Sequence, residues 1–477
     1  MPVQDPRKEY EDNAVVWKRM RDVNSGRDAV IKGGEIYTPK LPAATPTAQF
    51  NYLNRGNFYN ALRRTVTGLV GGIFQKAPRF DVPRRVEPWL DDVTLTHIPM
   101  TAFALETTTE VLLMGRMGVL VELANETPQG ERRPYFVSYT AENIINWQTS
   151  NIGGDDVLTM LVLRESPTEI DEKDSFKVDV VEQYRVLALI DGIYTQQVYR
   201  KADDSGDFEP YGDLITPLRR GEPLSFIPFE FLAPSYASVA VKEPPLVDLA
   251  NISLAHWRNS CDHEQGLHLV ALPTPYVSGM KGGNDDSVLE IGPSTIWMLS
   301  ENGKAGMVEF SGAGMGALET ALEAKQTQMA TLGAKLLEEQ PTLAAETATA
   351  VLARHAGEHA TLRTIAEAME ENLGRLLRIM GWWEGLEARP ADVSASVTLN
   401  QDFLQVKAQP QEIQTALMTL QAGEISYATF WNILTEGGWA RPNVSADEER
   451  KEISREPEQA PPPAEEVIKV EREDEDA

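Results

Sequence analysis

Residues 312–340, GAGMGALETALEAKQTQMATLGAKLLEEQ, decide how the rest of the chain is read. The stretch is rich in Ala, Leu, Glu, Lys and Gln, all good helix formers, and meets no proline until Pro341. Met315, Leu318, Leu322, Lys325, Met329, Leu332 and Leu336 follow at alternating steps of 3 and 4. That narrow, mostly apolar stripe is the pattern by which one helix packs along another. At about 1.5 Å per residue, the run predicts a helix of about 42 Å. A second long helix is predicted over 349–383, where Leu352, His355, His359, Leu362, Ala366, Met369, Leu373, Leu376, Met380 and Trp383 keep the same rhythm. Only PTLAAETA, residues 341–348, separates the two. Two long helices joined by a short proline-initiated break suit a tube or a stalk better than a globular enzyme.

The 477 residues are enough for two to four domains. Lys and Arg number 44 against 72 Asp and Glu, a net charge of −28. Such a chain does not bind nucleic acid through its whole surface, because phosphate contacts need cations. It can still surround DNA without gripping it. No apolar run is long enough to cross a bilayer. MPVQDPRKEYED at the start lacks a signal-peptide core, and Cys261 is the only cysteine, so cytosolic synthesis is expected.

Taken in order, residues 9–23 predict a short charged helix anchored by Val16, Trp17 and Met20. Residues 24–56 read as loop, with NSG, KGG and three prolines. Helices follow over 57–75, with Asn57 as N-cap, and over 100–114. GVLVEL is a strand, and 134–233 are a series of short β runs separated by GGDD, DG and SG. Pro244 and Pro245 open a helix that runs to Gly266. A compact β region comes next: HLVALPTPYVSG, a polar tip KGGNDDS, STIWML, a turn ENGKAG and MVEF. It reads as a β knob inserted between two helices. After the long helices, VSASVTLN is a strand and 409–435 are helical with a break near Gly423. Residues 456–477, with nine acidic and two basic groups and a run of three prolines, are expected to be a disordered acidic tail. The fold class is α+β.

Several motifs invite chemistry. GAGMGA at 312–317 has the G-x-G-x-x-A form of a dinucleotide loop, but the helix after it leads to no second strand, so the glycines read as a strand-to-helix corner. His355, Glu358 and His359 match the inverted zinc-peptidase pattern H-x-x-E-H. Both histidines fall within the apolar stripe, and no third ligand is evident downstream, so packed neutral histidines are the simpler reading. Cys261, His263 and His268 fit no metal spacing. No phosphate-binding GxxxxGK[ST] loop and no G-x-S-x-G elbow occurs. No catalytic residue, cofactor or metal is therefore assigned. Asp285 and Asp286 in the polar tip are either a solvated loop or a partner contact.

Five blocks in order resemble the tailed-bacteriophage portal (head–tail connector) proteins. They are NFYNALRRTVTGLVGGIFQKAPRF, ETTTEVLLMGRMGVLVE, RPYFVSYTAENIINWQ, PPLVDLANISLAHWRNSCDHEQGLHLVALPTPYVSG and FSGAGMGALETALEAKQTQMATLGAKLLEE. The resemblance covers roughly residues 10–440. It implies a mixed α/β wing (1–242 and 388–405), a two-helix stem (243–267 and 313–340) and an inserted β clip (268–312). It further implies a tunnel loop (341–348), a long inner helix (349–385) and a helical crown (406–455). Thr342, Leu343, Glu346 and Thr347 would line the channel, Asp285 and Asp286 would meet partners at the clip tip, and Leu318, Leu322, Met329, Leu332 and Leu336 would form the stem seam. The implied function is a non-enzymatic ring, twelvefold in the virion, at one capsid vertex. Double-stranded DNA would pass through it without sequence specificity. The large terminase, the head–tail adaptor, and the major capsid and scaffolding proteins would be its partners, and it would assemble in the host cytoplasm, away from any membrane. Two other readings stand beside it: a zinc metallopeptidase built on His355, Glu358 and His359, and a helical scaffold with no DNA role.

Overall fold

The computed structural model describes residues 2–454 except 125–131, 171–173, 175, 203–205, 236–238, 273, 281–295, 297–298, 309–311, 334–347, 386, 402, 404–409, 437–438 and 441–443. The protein is mixed α+β and divides into two compact units, Met1–Gln401 and Asp402–Ala477.

The first unit opens with helices α1 (Lys8–Ser25), α2 (Arg27–Gly33), α3 (Pro46–Arg55) and α4 (Ala61–Ile73). Two of these lie where the sequence predicts loop. Gly26, at φ +102°, separates α1 from α2. Thr45 caps α3, its hydroxyl accepting from Ala48 N–H, and Pro46 occupies the first turn, where its missing N–H costs nothing. The cap of α4 is Asn60, not Asn57: its side chain accepts from Arg63 N–H at 3.0 Å. Strand β1 (Arg79–Asp81) then leads to α5 (Met100–Met114), which ends at Gly115 in the left-handed conformation.

Strands β2 (Met117–Leu123) and β3 (Pro134–Thr140) follow. Five of the seven residues of β2 are buried, as a central strand covered on both faces requires. Next come β4 (Ile144–Ile152), β5 (Asp155–Glu165), β6 (Thr168–Ile170), β7 (Val178–Val180), β8 (Gln183–Ile190), β9 (Ile193–Lys201), β10 (Phe208–Ile215), β11 (Leu218–Arg219), β12 (Glu222–Pro223) and β13 (Phe229–Leu232). They build an antiparallel five-stranded sheet ordered β10-β9-β8-β5-β4 and a three-stranded sheet ordered β13-β2-β3. Asp191-Gly192, both at positive φ, makes the tight β8–β9 turn, and Gly153-Gly154 makes that of β4–β5. Strand β10 falls within the predicted β region of 134–233, though no single run there marks it. It carries Pro210 and Gly212 and a register shift after Tyr211, so no period-2 pattern marks it.

Helix α6 (Val247–Ala271) runs five residues past Gly266 into a hairpin of β14 (Thr274–Met280) and β15 (Leu299–Val308). The ENGKAG segment is strand within β15, not a turn. Gly303 lets it lie there: a Cβ on it would stand 3.0 Å from the carbonyl oxygens of Ser278 and Gly279 across the pair. Helix α7 spans Met315–Leu332 and is capped at Gly333. A Cβ at Gly333 would strike Thr65 and lie 2.8 Å from Leu249, so glycine is required where α7 meets the body. Residues 334–340 of the predicted helix lie outside the described residues, as do 341–347 of the break.

Helix α8 (Ala348–Trp383) matches its predicted span. From Leu362 onward every residue of its stripe is buried: Leu362, Ala366, Met369, Leu373, Leu376, Met380 and Trp383. It packs on the three-stranded sheet, with the Trp383 indole donating to Val121 O at 2.9 Å and Asn372 donating to Ala233 O at 3.0 Å. Strand β16 (Ser396–Thr398) pairs antiparallel with β1. Arg21 ties the layers together, bonding both Glu110 on α5 and Glu142 after β3 at 2.6–2.9 Å.

The second unit contains α9 (Pro410–Gln421), α10 (Tyr427–Glu436) and α11 (Ala446–Ile453). Gly423, at φ +75°, breaks α9 from α10. Ser445 and Glu448 form a reciprocal capping box at α11. Tyr427 stacks on Trp431, whose indole donates to Val444 O, and the Arg450 guanidinium lies over the Tyr427 ring at 4.2 Å. Residues 455–477 lie outside the described residues.

Candidate functional site

The feature that sets this chain apart is the arm made by α6, the β14–β15 hairpin and α7. Its two helices are antiparallel, and a ladder of contacts fixes their register. Gly333 meets Leu249, Ser253 Oγ lies 3.5 Å from Met329 Sδ, and Gln326 bonds His256 Nε2 at 3.2 Å. Further out, His263 Nε2 lies 3.5 Å from Glu319 Oε1, and Gly266 faces Met315. A Cβ on Gly266 would stand 2.6 Å from Met315 Sδ, so that glycine is a close-approach point of the helix pair, not its end.

The inner part of α6 is clamped by residues 37–60. The Trp257 indole donates to Thr38 Oγ1 at 2.8 Å, Arg258 donates to Tyr37 O, and Tyr52 donates to Asp262 at 2.7 Å. Ser260 Oγ accepts from Asn57 N–H at 2.8 Å. Gly56 sits directly against Cys261 and Trp257. Burial, with Asp262 adding to it, pushes the Cys261 thiol up to about 12, so it is an inert packed group. His256 is buried, and burial first, then the Lys325 charge, holds its pKa below the ordinary value.

The outer part of the arm is held differently. Leu267, Leu269, Val270 and Leu272 near the end of α6, and Tyr276, Met307 and Val308 on the hairpin, are all exposed. Seven large apolar side chains in one stretch of helix and hairpin exceed the scatter expected on a monomer surface.

The residues singled out from sequence fall as follows. Met329 is 1% exposed, Leu318 and Leu322 are half-buried, and Leu332 is 40% exposed. Leu336, Thr342, Leu343, Glu346, Thr347, Asp285 and Asp286 lie outside the described residues. His355, Glu358 and His359 are on α8, and their side chains lie outside the described ones. Among the described residues no three His, Cys, Asp or Glu side chains are grouped to hold a metal. None of the described helices is long and apolar enough to cross a membrane. The rungs Ser253–Met329, Gln326–His256 and Glu319–His263 are missed by sequence reading. Only the register of an antiparallel pair, counted outward from a known hairpin, could have found them.

The arm can bind and brace; its described side chains offer no nucleophile beside a base. A family model described as "Domain of unknown function (DUF4055)" matches residues 245–384, which run from just before α6 to just after α8. No curated protein matches. Among solved structures, the chain is similar at 14% identity and a TM-score of 0.37 to a chain in "Virion of native gene transfer agent (GTA) particle", covering 87% of this chain and 98% of that one. It is likewise similar, at 14% identity and 0.37, to a chain in "Neck of native GTA particle computed with C12 symmetry", with 86% and 98% covered.

Proposed function

We propose that this chain is a portal-type subunit, forming a closed ring through which double-stranded DNA moves into and out of a phage-like capsid. The observation that carries the reading is the arm: an antiparallel helix pair, clamped at its base and leaving apolar side chains uncovered at its outer end. A ring offers each subunit a neighbour on both sides, and so a cover for that surface. The five sequence blocks in portal order support the same reading.

In this reading residues 1–242 and 388–405 are the wing, α6 and α7 the stem, the β14–β15 region the clip, α8 the inner helix and 406–455 the crown. The tunnel loop is 341–348, with Thr342, Leu343, Glu346 and Thr347 toward the channel. The clip, with Asp285 and Asp286, is the docking end for the terminase during packaging and for the head–tail adaptor afterwards. The ring does no chemistry of its own. Its net negative charge repels phosphate and keeps DNA sliding rather than bound.

Native mass spectrometry of the full chain and of Leu322→Asp tests this. The expected outcome is a closed oligomer for the unaltered chain and a marked loss of it for the variant, whose circular dichroism stays folded. A monomer at all concentrations, or equal oligomer populations in both, would overturn the assignment.

A further inference from the structure

The five-stranded sheet carries an uncovered apolar surface at one end. Its strands, ordered β10-β9-β8-β5-β4, are all antiparallel, so the β4–β5 turn, the β8–β9 turn and the last residues of β10 come to the same end. Ile152, Ile190, Ile193, Leu214 and Ile215 lie there, with Leu218 just beyond β10, and each is 39–56% exposed. Four strand spacings make this end about 19 Å wide. Large aliphatic side chains gathered in this way exceed the scattered exposure of a monomer surface. Beside Ile215 and Leu218 the surface sinks into a cleft of about 260 Å³, walled by Leu123, Pro217, Pro228 and Trp383. The polar floor of the cleft is already paired: Glu122 accepts from Tyr135, Gln196 and Arg185 at 2.9–3.1 Å. The cleft therefore offers an incoming segment room for one apolar side chain.

The charge at this end selects its cover. Residues 148–157, 188–196 and 210–218 hold Asp155, Asp156, Asp191 and Asp213 and no Lys or Arg. All four carboxylates are exposed, and none has an ion-pair partner among the described residues. Arg132 also lines the cleft, one cation against four carboxylates. Arg219 and Arg220, next to Leu218, donate to Trp382 O, Glu387 O and Gly385 O, so their charges answer the negative C-terminal end of α8. An apolar surface within an uncompensated negative rim disfavours nucleic acid and anionic lipid, both of which need cations. It equally disfavours a second copy of a chain whose net charge is −28. Strand addition is not the mode either: the edge strand β10 carries Pro210 and a register shift after Tyr211, and both blunt an edge.

We propose that this end of the five-stranded sheet docks a cationic amphipathic helix of another protein. Its apolar side chains lie on Ile190, Ile193, Leu214 and Ile215, one of them entering the cleft, and its Lys or Arg side chains meet Asp155, Asp156, Asp191 and Asp213. A helix of about 13 residues spans this width. No residue of the surface belongs to the arm, so the inference stands or falls independently of the ring reading.

The test uses the full chain and three fluorescein-labelled helical probes of about 18 residues. One is built of Leu and Lys, one of Leu and Glu with the same apolar face, and one of Ser and Lys with the same charge. Fluorescence anisotropy is expected to show saturable binding of the Leu/Lys probe and roughly tenfold weaker binding of the other two. The double variant Ile193→Ser, Leu214→Ser raises the Kd of the Leu/Lys probe about tenfold. The double variant Asp155→Asn, Asp156→Asn raises it about threefold and flattens its salt dependence. Hydrogen exchange on the unaltered chain locates the probe, with slowed exchange expected in peptides covering 148–157, 188–196 and 210–218; this footprint decides alone if a variant does not fold. No binding, equal binding of the Leu/Glu or the Ser/Lys probe, an unchanged Kd in folded Ile193→Ser, Leu214→Ser, or protection elsewhere overturns the proposal. Loss of an oligomer in that folded variant also overturns it, because a second copy would then be the cover.

Discussion

Met329→Ala is the most informative single change in the arm. Among the described side chains of α7, only Met329 is buried, and its sulfur is a rung of the α6–α7 ladder. Deleting a fully buried Met side chain costs its transfer free energy plus a cavity term, together about 3 kcal/mol. No orphan polar group adds to this, because Ser253 Oγ keeps its bond to Leu249 O at 2.8 Å. If that loss falls on local opening of α7, the opened population rises by roughly a hundredfold. Leu332, 40% exposed, is the control: Leu332→Ala is expected to cost less than about 1 kcal/mol. Hydrogen exchange read by mass spectrometry, on peptides covering 247–271 and 315–332, distinguishes them. Faster exchange confined to those peptides in Met329→Ala, and near-native exchange in Leu332→Ala, is the expected result. Equal exchange in the two variants would refute the reasoning that Met329 is the main buried anchor of α7.

Other outcomes are equally definite. His256 has a folded pKa below its unfolded value, so the unfolded chain takes up the proton first; stability is full above about pH 6.5 and falls as pH drops from there toward the lower folded pKa. His256→Gln should flatten the fall in Tm between about pH 7 and pH 5.5. Gly115→Ala places a Cβ 2.6 Å from Lys242 O at φ +72°, and should lower stability by about 2–4 kcal/mol in a denaturant titration. Deleting residues 456–477, rich in charge and proline, should leave both Tm and oligomer size unchanged. In the portal reading, Glu346→Lys should still form rings but slow DNA packaging, most at low salt, where phosphate attraction is least screened.

Much of the fold is legible in the sequence because long periodic elements outvote local exceptions. The α8 stripe and the DG turn between β8 and β9 are examples. The misreadings cluster at glycines and prolines, which punctuate a chain for more than one reason. Pro46 follows Thr45, a capping residue, and starts α3; counted only as a breaker, it reads as loop. Gly266 and Gly303 read as stops, but both are places where backbone or a neighbouring side chain comes too close for a Cβ. Such contacts belong to the partner element and leave no local trace. The inner clamp on α6 comes from residues 37–60, mostly from loop positions such as Tyr37, Thr38 and Asn57, whose partners lie about 200 residues away in sequence. The burial of Arg116 was invisible for another reason: one arginine in MGRMG looks like any turn cation until Trp147 and Phe231 arrive from distant strands.

In the portal reading proposed above, this chain closes into a conduit. Electron microscopy of the purified full chain, by class averaging of negatively stained particles, tests it most directly. The expected particle is a ring with an axial hole wide enough for duplex DNA and the α6–hairpin–α7 arms at one end. Particles without an axial hole, whether monomers, filaments or solid assemblies, would contradict it.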